Sequence, residues 1–358
     1  MRILLTGGAG FIGSHTALLL IQRGYEVIIY DSFANSSPIV IERLKSIVNS
    51  NSGDFKLDII EGDIRDEYCL DKVFKDNIKS QNPIDAVIHF AGLKSVKESL
   101  NKPLIYWDVN VFGTKKLLEI MNSNGCFSFV FSSSATVYGL SESFPINEDE
   151  KPSPINPYGN TKLAIENMLN DLYLSNLNKW KICVLRYFNP VGAHPTGLIG
   201  EDPIGVPNNL FPYITQVAIG RIKSLDVFGD DWNTRDGTGI RDYIHIMDLS
   251  EGHIAAFDYL LATESCYEVF NLGSGIGYSV FEIINEFNVI TGCKIPYKVV
   301  KRRKGDIAKS LADISKANRV LGWFPKRKLR EICSDGWKWQ KENPKGYFDK
   351  YSRFNTSN

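Results

Sequence analysis

The sequence has few features of a secreted, metal-stapled or membrane protein. Its six cysteines are scattered, with no CxxC pair, which argues against a disulfide framework or a structural zinc site and favours free thiols in a reducing compartment. No apolar run reaches the roughly 18 residues that a membrane span needs. The opening segment 1–5 is too short for a signal peptide. We therefore expect a cytoplasmic protein with no metal and no membrane partner.

The chain also lacks a net charge, because Lys and Arg together number 41 and Asp and Glu together number 41. This balance argues against a nucleic-acid partner, and the short basic run 301–304 does not change it. What is present is a globular composition, with 43% apolar and 12% aromatic residues over 358 positions. At about 150 residues per domain, this length allows two domains or one large α/β unit.

Apolar, β-branched runs alternate with helical stretches in the first half. Strands are predicted at 3–5, 25–30, 58–61, 86–90, 127–132 and 182–187, and the first helix at 15–23. Apolar strands separated by helices predict a parallel sheet covered on both faces. From about residue 189 Gly and Pro become frequent. We predict an α/β protein: a doubly wound parallel sheet (Rossmann) over 1–188 and a smaller C-terminal mixed α/β substrate domain over 189–358, with the chain returning to the first domain around 235–270.

A glycine-rich loop follows the first strand, with glycines at Gly7, Gly10 and Gly13. Residues without Cβ let the backbone approach a pyrophosphate, and the next helix offers its free N–H groups to the anion. A plain strand–helix turn also carries glycines, but Asp31 lies eighteen residues beyond Gly13, at the end of the second strand. An acid at this interval hydrogen-bonds an adenosine ribose and repels a 2′-phosphate. The pattern therefore predicts NAD rather than NADP as the cofactor.

Tyr158 and Lys162 are four residues apart in a helical stretch, so their side chains emerge on one face. A free phenol is a poor base at neutral pH, and a neighbouring ammonium favours its phenolate. This pair suits removal of a proton from an alcohol while a hydride leaves the same carbon. Ser134, at the end of the fifth strand, would share that proton. The alternatives are a surface tyrosine, a solvated lysine and a serine-rich strand end with local hydrogen bonds.

The GxxGxxG loop together with Tyr158-Gly159-Asn160-Thr161-Lys162 resembles the extended short-chain dehydrogenase/reductase superfamily. That resemblance implies that Asp63 and Ile64 border the adenine, although Asp63 could instead cap a helix. It also implies cofactor contacts from Phe11, Ile12, Asn35, Ser36, Phe90, Ala91, Gly92, Lys94, Asn110 and Phe188. Dehydratases of the superfamily carry an Asp-Glu pair after the Ser134 position. Here Ala135-Thr136-Val137 has no carboxylate, which disfavours dehydration.

The second half resembles the UDP-glucose 4-epimerase family in three segments: 186–194, 207–210 and 236–245. This resemblance implies that the UDP-hexose is contacted by Asn189, Asn209, Leu210, Asp226, Val227, Phe228, Arg241, Arg303 and Asp306, in addition to Ser134 and Tyr158. Arg241 and Arg303 would neutralise the pyrophosphate, since guanidinium groups suit phosphate oxygens. His194 and His245 are interpreted as structural hydrogen-bonding residues rather than metal ligands.

The implied reaction interconverts UDP-glucose and UDP-galactose at C4 through a transient 4-keto sugar, with NAD regenerated in each cycle. Two alternatives stay open: a related UDP-sugar decarboxylase or reductase, and a non-catalytic NAD-binding module. Relatives pair through two helices per subunit, which here would lie around 107–121 and 158–172 and would form a homodimer. By the same resemblance, Ser310 lies beside the sugar 2-position, where a small residue would also admit N-acetylated hexosamines.

Overall fold

The computed structural model of the chain describes residues 1–51, 55–141, 143–205, 207, 209–303 and 305–347. The strands are β1 (Arg2–Thr6), β2 (Glu26–Asp31), β3 (Leu57–Glu61), β4 (Ala86–His89), β5 (Ser128–Ser134), β6 (Lys181–Tyr187), β7 (Asn189–Val191), β8 (Leu225–Phe228), β9 (Ile240–His245), β10 (Cys266–Leu272), β11 (Gly277–Ser279), β12 (Tyr297–Val300) and β13 (Lys309–Ser310).

The helices are α1 (Phe11–Gln22), α2 (Ile39–Asn51), α3 (Glu67–Lys79), α4 (Val96–Asn101), α5 (Pro103–Tyr106), α6 (Gly113–Ser123), α7 (Pro157–Ser175), α8 (Leu210–Ala218), α9 (Ile246–Ala262), α10 (Val280–Thr291), α11 (Ser315–Leu321) and α12 (Leu329–Glu342). A π-helical segment, Trp107–Phe112, joins α5 to α6, and a 3₁₀ turn, Ala135–Tyr138, follows β5. Among the described residues, no helix has the length and apolar character needed to cross a membrane.

The core of the molecule is a seven-stranded parallel sheet with the order β10-β6-β5-β4-β1-β2-β3. Helices α1, α2 and α9 cover one face and α3, α6 and α7 cover the other. Strands β1 and β4 to β6 are buried along almost their whole length, because both of their faces are covered. This arrangement confirms the predicted α/β fold class with a doubly wound parallel sheet.

The second half of the chain contributes to two regions. Helix α9 packs against α1, and β10 pairs with β6 at the edge of the large sheet. The remaining strands form a small mixed sheet around β9, paired with β7, β11 and β13, and a two-stranded sheet of β8 and β12. Residues 348–358 of the predicted C-terminal domain lie outside the described residues, as do Asn208 and Lys304 of the quoted motifs.

The predicted start of the first helix is wrong. Helix α1 begins at Phe11 instead of residue 15, because Gly10 is its N-cap and the carbonyl of Gly10 accepts the Ser14 N–H at 2.9 Å. Gly13 therefore lies inside the first turn of the helix and not in the loop. Glycine usually indicates a loop, but Gly13 is needed for the close packing of α1 on the preceding turn.

Candidate active site

Two glycines of the motif, Gly7 in the loop and Gly13 in the first turn of α1, are packed too tightly to be replaced by residues with a side chain. Gly7 has φ +68°, and a Cβ there would lie 2.6 Å from the Ala91 backbone nitrogen. A Cβ at Gly13 would lie 2.5 Å from the Gly7 carbonyl oxygen. Gly10 is looser, since its Cβ would lie 3.2 Å from that oxygen. The three glycines thus bring β1, the loop after β4 and the start of α1 into direct contact.

The amino end of α1 is open to an anion. Its N-cap, Gly10, has no side chain to bond the first N–H groups, and the first turn has no acidic residue. Free N–H groups and the positive end of the helix dipole favour a phosphate at such a position. Phe11 and Ile12 lie in this first turn and are half-buried. The loop and helix therefore fit the pyrophosphate of a dinucleotide.

Asp31 ends β2 beside the glycine loop and is 7% exposed. Its Oδ2 accepts the Ala9 N–H at 2.9 Å, and its Oδ1 accepts the Phe33 N–H at 2.9 Å and the Ser36 hydroxyl at 2.8 Å. Asn35 is exposed in the same turn. A carboxylate oriented by these donors keeps acceptor capacity for a ribose diol. The predicted residues Asp31, Asn35 and Ser36 are thus brought together with the glycine loop.

Asp63 and Ile64, which were expected to border the adenine, have side chains that are engaged by other parts of the protein. Both carboxylate oxygens of Asp63 accept from the guanidinium of Arg65, at 2.7 and 2.9 Å, and this ion pair lowers the pKa of Asp63. The N-cap of α3 is Asp66, so the alternative role of Asp63 as that helix cap is wrong. The Ile64 side chain is buried in the core. The backbone of Ile64, not its side chain, is therefore what this segment offers to an adenine.

The loop after β4 is held by Asn110, which lies in the π-helical segment. Its Oδ1 accepts the Leu93 N–H at 2.7 Å, and its Nδ2 donates to the Leu93 carbonyl at 3.0 Å and to the Thr161 hydroxyl at 3.1 Å. Gly92 needs its φ of +155°, and a Cβ there would lie 3.1 Å from the Asn110 Oδ1. The Asn110 side chain therefore fixes the course of the loop after β4.

The other residues predicted around the cofactor differ in how exposed their side chains are. Phe90 is half-buried, and its ring contacts that of His253 with 4.9 Å between centroids. Lys94 is exposed and pairs with Glu201 at 3.1 Å. Phe188 packs its side chain into a small core cluster with Val137, Tyr138, Ile146 and Ala312. As with Ile64, only the backbone of Phe188 is available to a ligand.

Tyr158 and Lys162 lie on one face of α7, above the end of β5. The Lys162 ammonium donates to the Ser132 carbonyl at 2.6 Å and lies 6.0 Å from the centre of the Tyr158 ring. Burial lowers the pKa of Lys162 to about 8, while the charge of Glu166 acts in the opposite direction. The ammonium is therefore held beside the phenol, but its proton is less tightly held than that of an exposed lysine.

Burial acts on Tyr158 as well. It raises the pKa of the phenol to about 12, and a hydrogen bond with Ser134 lowers that pKa by less. The expected net lowering by the lysine is therefore absent from the protein alone, because the loss of hydration outweighs the interaction with Ser134. A further positive charge beside the ring would be needed to favour the phenolate.

Ser134 lies at the end of β5, next to Tyr158. It is the N-cap of the 3₁₀ turn after β5, and its hydroxyl oxygen accepts the Thr136 N–H at 3.2 Å and the Thr136 hydroxyl at 2.9 Å. The sequence pattern after Ser134 indicates only that Thr136 is not a carboxylate and does not predict this contact. Its hydroxyl leaves the proton of Ser134 free to be donated to the phenol or to a ligand.

The small sheet gathers several residues predicted to bind substrate. Asn189 on β7 and Ser310 on β13 both flank β9, with Ser310 in register with Arg241 and Asn189 in register with Tyr243. The Asn189 side chain donates to the Asp242 carbonyl at 2.9 Å. Ser310 and Arg241 are half-buried. Asn189, Arg241 and Ser310 are thus neighbours, although they are far apart in the sequence.

A second group lies around β8. The guanidinium of Arg303 lies 3.7 Å from the centre of the Phe228 ring, and Asp226 pairs with Lys298 at 3.3 Å. Val227 between them is buried in the core, so its side chain cannot contact a ligand. Asp306 is half-buried and bonds its N–H to the Arg303 carbonyl. At the start of α8, Asn209 is exposed and Leu210 half-buried.

The sequence reasoning missed Glu166, which is buried one helical turn beyond Lys162. The signal that could have found it is the continued spacing 158, 162, 166 on one face of the helix. His194 hydrogen-bonds to the Thr196 hydroxyl. His245 accepts the Met247 N–H and hydrogen-bonds to Asp335. Within the described ranges, no three His, Cys, Asp or Glu side chains are arranged to hold a metal ion.

The chain is similar to known proteins over nearly its whole length. The sequence model of the family described as GDP-mannose 4,6 dehydratase matches residues 4–336. The UDP-glucose 4-epimerase of Bacillus subtilis is 49% identical over 347 residues, which are 97% of this chain and 99% of the relative. A crystal structure of the UDP-glucose 4-epimerase from Stenotrophomonas maltophila, with bound NAD and formylated UDP-arabinopyranose, has a TM-score of 0.90 and 45% identity and covers 96% of this chain and 99% of that chain.

The enzyme of the same name from Bifidobacterium longum, in complex with NAD⁺ and UDP, has a TM-score of 0.89 and 44% identity, with coverage of 97% of this chain and 100% of that chain. The residues matched by the family model, 4–336, span both halves of the molecule. The chain therefore belongs to the family that the GDP-mannose 4,6 dehydratase model describes and, within it, to the UDP-glucose 4-epimerases.

Proposed function

We propose that the protein interconverts UDP-glucose and UDP-galactose at C4 and that Tyr158 is its acid–base residue. The observation that carries this proposal is the position of Tyr158 and Lys162, together on α7 above the Ser132–Ser134 end of β5. This strand end lies beside β4 in the sheet, and β4 leads into the loop that packs on the glycine turn. An acid–base pair and a dinucleotide site thus share one edge of the sheet.

Tyr158, Ser134 and Lys162 each have a separate role in the proposed reaction. Tyr158 removes the proton from the sugar 4-hydroxyl and later returns it, while the hydroxyl of Ser134 bridges the phenol and the sugar oxygen. Lys162 stabilises the phenolate through its ammonium. NAD bound in the glycine loop would supply the hydride acceptor and donor at C4 and, when oxidised, a positive ring charge that favours the phenolate. The loop glycines, the α1 N–H groups and Asp31 would hold it.

Arg241 and Arg303 are proposed to anchor the pyrophosphate of the substrate while the sugar turns over. The Phe228 ring and Asp306 beside Arg303 would then lie near the nucleoside, and Asn189 near the sugar. An anchor at one end of the substrate allows the 4-keto sugar to present its opposite face without leaving the pocket. Return of the hydride to that face inverts C4.

The name of the matching family raises dehydration as a second candidate. Elimination of water needs an additional acid and base near the sugar. Residues Ala135–Tyr138 after Ser134 form the 3₁₀ turn and contain no carboxylate. The absence of such a pair in this turn favours epimerisation.

The test is a direct one. Purified protein is incubated with UDP-galactose, without added nucleotide, and the sugar nucleotides are followed by NMR. We expect UDP-glucose to form with no net NADH and no CO₂, which separates an epimerase from a reductase or a decarboxylase. Tyr158→Phe, which removes one hydroxyl and no packing volume, should lower turnover by about a thousandfold. Retention of more than a tenth of the wild-type turnover would show that Tyr158 is not the base.

Asp31 is proposed to select NAD over NADP, because a 2′-phosphate would approach a buried carboxylate. Nucleotide released from the denatured protein should therefore be NAD⁺ or NADH. Finding NADP as the main nucleotide would contradict this role. The six free thiols are consistent with a reducing compartment, and we propose a cytoplasmic location.

We also propose a homodimer. The segment from α5 through the π-helical turn exposes Leu104 at 80%, Ile105 at 47%, Trp107 at 41% and Phe112 at 43%. These side chains lie beside α7, against which α5 and the π-helical turn pack. An apolar surface of this kind is typical of a protein–protein interface. A second copy of this chain, related by a two-fold axis, would cover it.

A further inference from the structure

A buried ion pair lies directly behind the proposed acid–base residues. Glu166 and Arg186 are 2% and 5% exposed, and two N–H groups of Arg186 donate to the two carboxylate oxygens of Glu166 at 2.6 and 3.1 Å. The hydroxyl of Ser133 donates to the same carboxylate at 2.5 Å. Ser133 and Arg186 are register partners on β5 and β6, so both reach α7 from adjacent strands.

The end of β5 and one face of α7 are connected residue by residue. The Ser132 carbonyl accepts from Lys162, Ser133 donates to Glu166, and Ser134 lies close enough to Tyr158 to lower the pKa of its phenol. Glu166 therefore anchors the central one of three consecutive strand residues. The two flanking ones contact the lysine and the tyrosine. A small shift of the strand along the helix would break all three contacts at once.

The ion pair is also connected away from the active site. Arg186 donates to the Tyr138 hydroxyl at 3.0 Å, and that hydroxyl donates to Asn271 at 2.6 Å. Asn271 in turn donates to the Ile146 carbonyl at 2.9 Å. This outer arm ties β6 and β10 to the segment that pairs with Ala312. The outer arm supports the fold, whereas the inner arm, through Ser133, faces the acid–base residues.

We propose that Glu166 is a positioning residue of the active site, which holds the Ser132–Ser134 strand end against α7 and places a negative charge one helical turn from the Lys162 ammonium. A purely structural contact does not require this pair, because well-packed apolar residues often replace a buried ion pair without loss of stability. The inference rests on the roles proposed for Tyr158 and Lys162.

The charge of Glu166 has a defined effect on Lys162. In the described part of the chain, the titratable groups around Lys162 are Tyr158 and Glu166 on α7, His89 on β4, and Arg186 and Tyr187 on β6 behind them. Burial keeps His89 neutral, with its pKa lowered to about 3. Glu166 is therefore the carboxylate that keeps Lys162 protonated. Its removal should allow Lys162 to lose its proton at a lower pH.

The experiment compares three variants with the wild-type holoenzyme. Glu166→Gln combined with Arg186→Met removes both charges and leaves no unpaired buried ion. Ser133→Ala removes only the hydroxyl of the inner arm, and Ser133→Thr restores one. Tyr138→Phe is the control, because it breaks the outer arm and leaves Ser133, Glu166 and Lys162 untouched. For each variant, kcat, KM for UDP-galactose, the pH profile of kcat and Tm are measured.

For the double variant we expect kcat to fall about tenfold, with KM within about twofold. The alkaline limb of the kcat profile should move to lower pH by less than about one unit, because loss of the more distant Arg186 charge offsets part of the loss of the Glu166 charge. Ser133→Ala should lower kcat without moving the limb, and Ser133→Thr should recover it. Tyr138→Phe should lower Tm while kcat and the limb stay at wild-type values.

An unchanged limb in a folded double variant would overturn the proposal, as would equal losses of kcat in Ser133→Ala and Tyr138→Phe. If the double variant does not fold, comparison of Ser133→Ala and Ser133→Thr with Tyr138→Phe tests the proposal. Full turnover by Tyr158→Phe would instead refute the proposed function. The two failures are therefore distinguishable.

Discussion

Ser310 is the residue at which substrate breadth would be decided. It ends β13, pairs with Arg241 on β9 and is half-buried in the small sheet. A serine leaves more space than a tyrosine and offers a hydroxyl. We infer that this position admits the acetamido group of an N-acetylated hexosamine, so that UDP-GlcNAc and UDP-GalNAc are interconverted along with the glucose pair.

The substitution Ser310→Tyr tests this role. The added ring should fill the acetamido volume without touching Tyr158, so activity on the N-acetylated pair should fall at least about a hundredfold, while activity on the plain pair should change by less than about threefold. The plain pair is the internal control. Equal loss on both pairs, or a wild-type protein inactive on the N-acetylated pair, would contradict the assignment.

At the scale of single elements, the loop between β1 and α1 is constrained by contact as well as by its backbone angles. Gly7→Ala places a Cβ 2.6 Å from the Ala91 nitrogen and also strains a φ of +68°. Gly24→Ala is a matched control, since Gly24 has φ +80° and no atom within 4 Å of the added Cβ. Both variants carry the strain of a left-handed residue, about 1 kcal/mol.

Only Gly7→Ala should lose the nucleotide. We expect the Gly24→Ala protein to be purified with NAD still bound and the Gly7→Ala protein to retain less than about a tenth of it, because the loop after β4 must move away from the pyrophosphate site. Nucleotide released on denaturation is measured by absorbance and chromatography. Equal retention in the two variants would show that contact between the two loops does not matter for binding.

At the scale of the whole molecule, buried histidines make the protein sensitive to acid. Burial lowers the pKa of His15 and His89 to about 3 and that of His253 to about 4. In the unfolded chain these groups titrate near pH ~6.5. Below that pH the unfolded state binds protons that the folded state does not bind. The free energy of unfolding therefore falls as the pH is lowered from about 6.5 towards 4.

Three such histidines lower the free energy of unfolding by about 4 kcal/mol for each pH unit below 6. The interval between pH 6.5 and 5.5 separates the effect of histidines from that of carboxylates, most of which titrate below it. The pKa of His194, which burial also lowers to about 4, adds to the decrease. We expect Tm to decrease across this interval and unfolding to be accompanied by proton uptake in calorimetry. A constant Tm between pH 6.5 and 5.5 would show that these side chains are protonated in the folded state.

The exposed apolar surface from α5 through the π-helical turn predicts that the protein forms a dimer. Leu104→Glu places a charge in the surface proposed to meet a second copy, so light scattering should show a shift from dimer to monomer. Val289→Glu on α10 is the control, because Val289 is 70% exposed and lies on a different element. A wild-type monomer, or the same assembly in both variants, would contradict a dimer through this surface.

Features that depend on the local spacing of residues could be predicted from the sequence alone. The parallel sheet follows from apolar strands that alternate with helices, and the fold class it predicted is confirmed. The glycine loop with Asp31, and the pair Tyr158 and Lys162 four residues apart, could be located because a tight turn and one helical turn are short-range structures. The predicted family and NAD dependence agree with the relatives and their crystal structures.

Which side chains of the predicted motifs are buried in the core depends on the packing of the whole molecule. Ile64, Phe188 and Val227 turn their side chains into the core, and Asp63 is held by Arg65. Their burial depends on the packing of helices and strands distant in sequence, so no local pattern revealed it.

The contacts that support the proposed acid–base pair also depend on the tertiary structure. Glu166 meets Ser133 and Arg186 only because β5 and β6 are adjacent in the sheet and α7 crosses both. Asn110 reaches Leu93 only because the π-helical segment lies against the loop after β4. Contacts of this kind arise from strand order and helix placement, which depend on the free energy of the whole core and not on any single stretch of sequence.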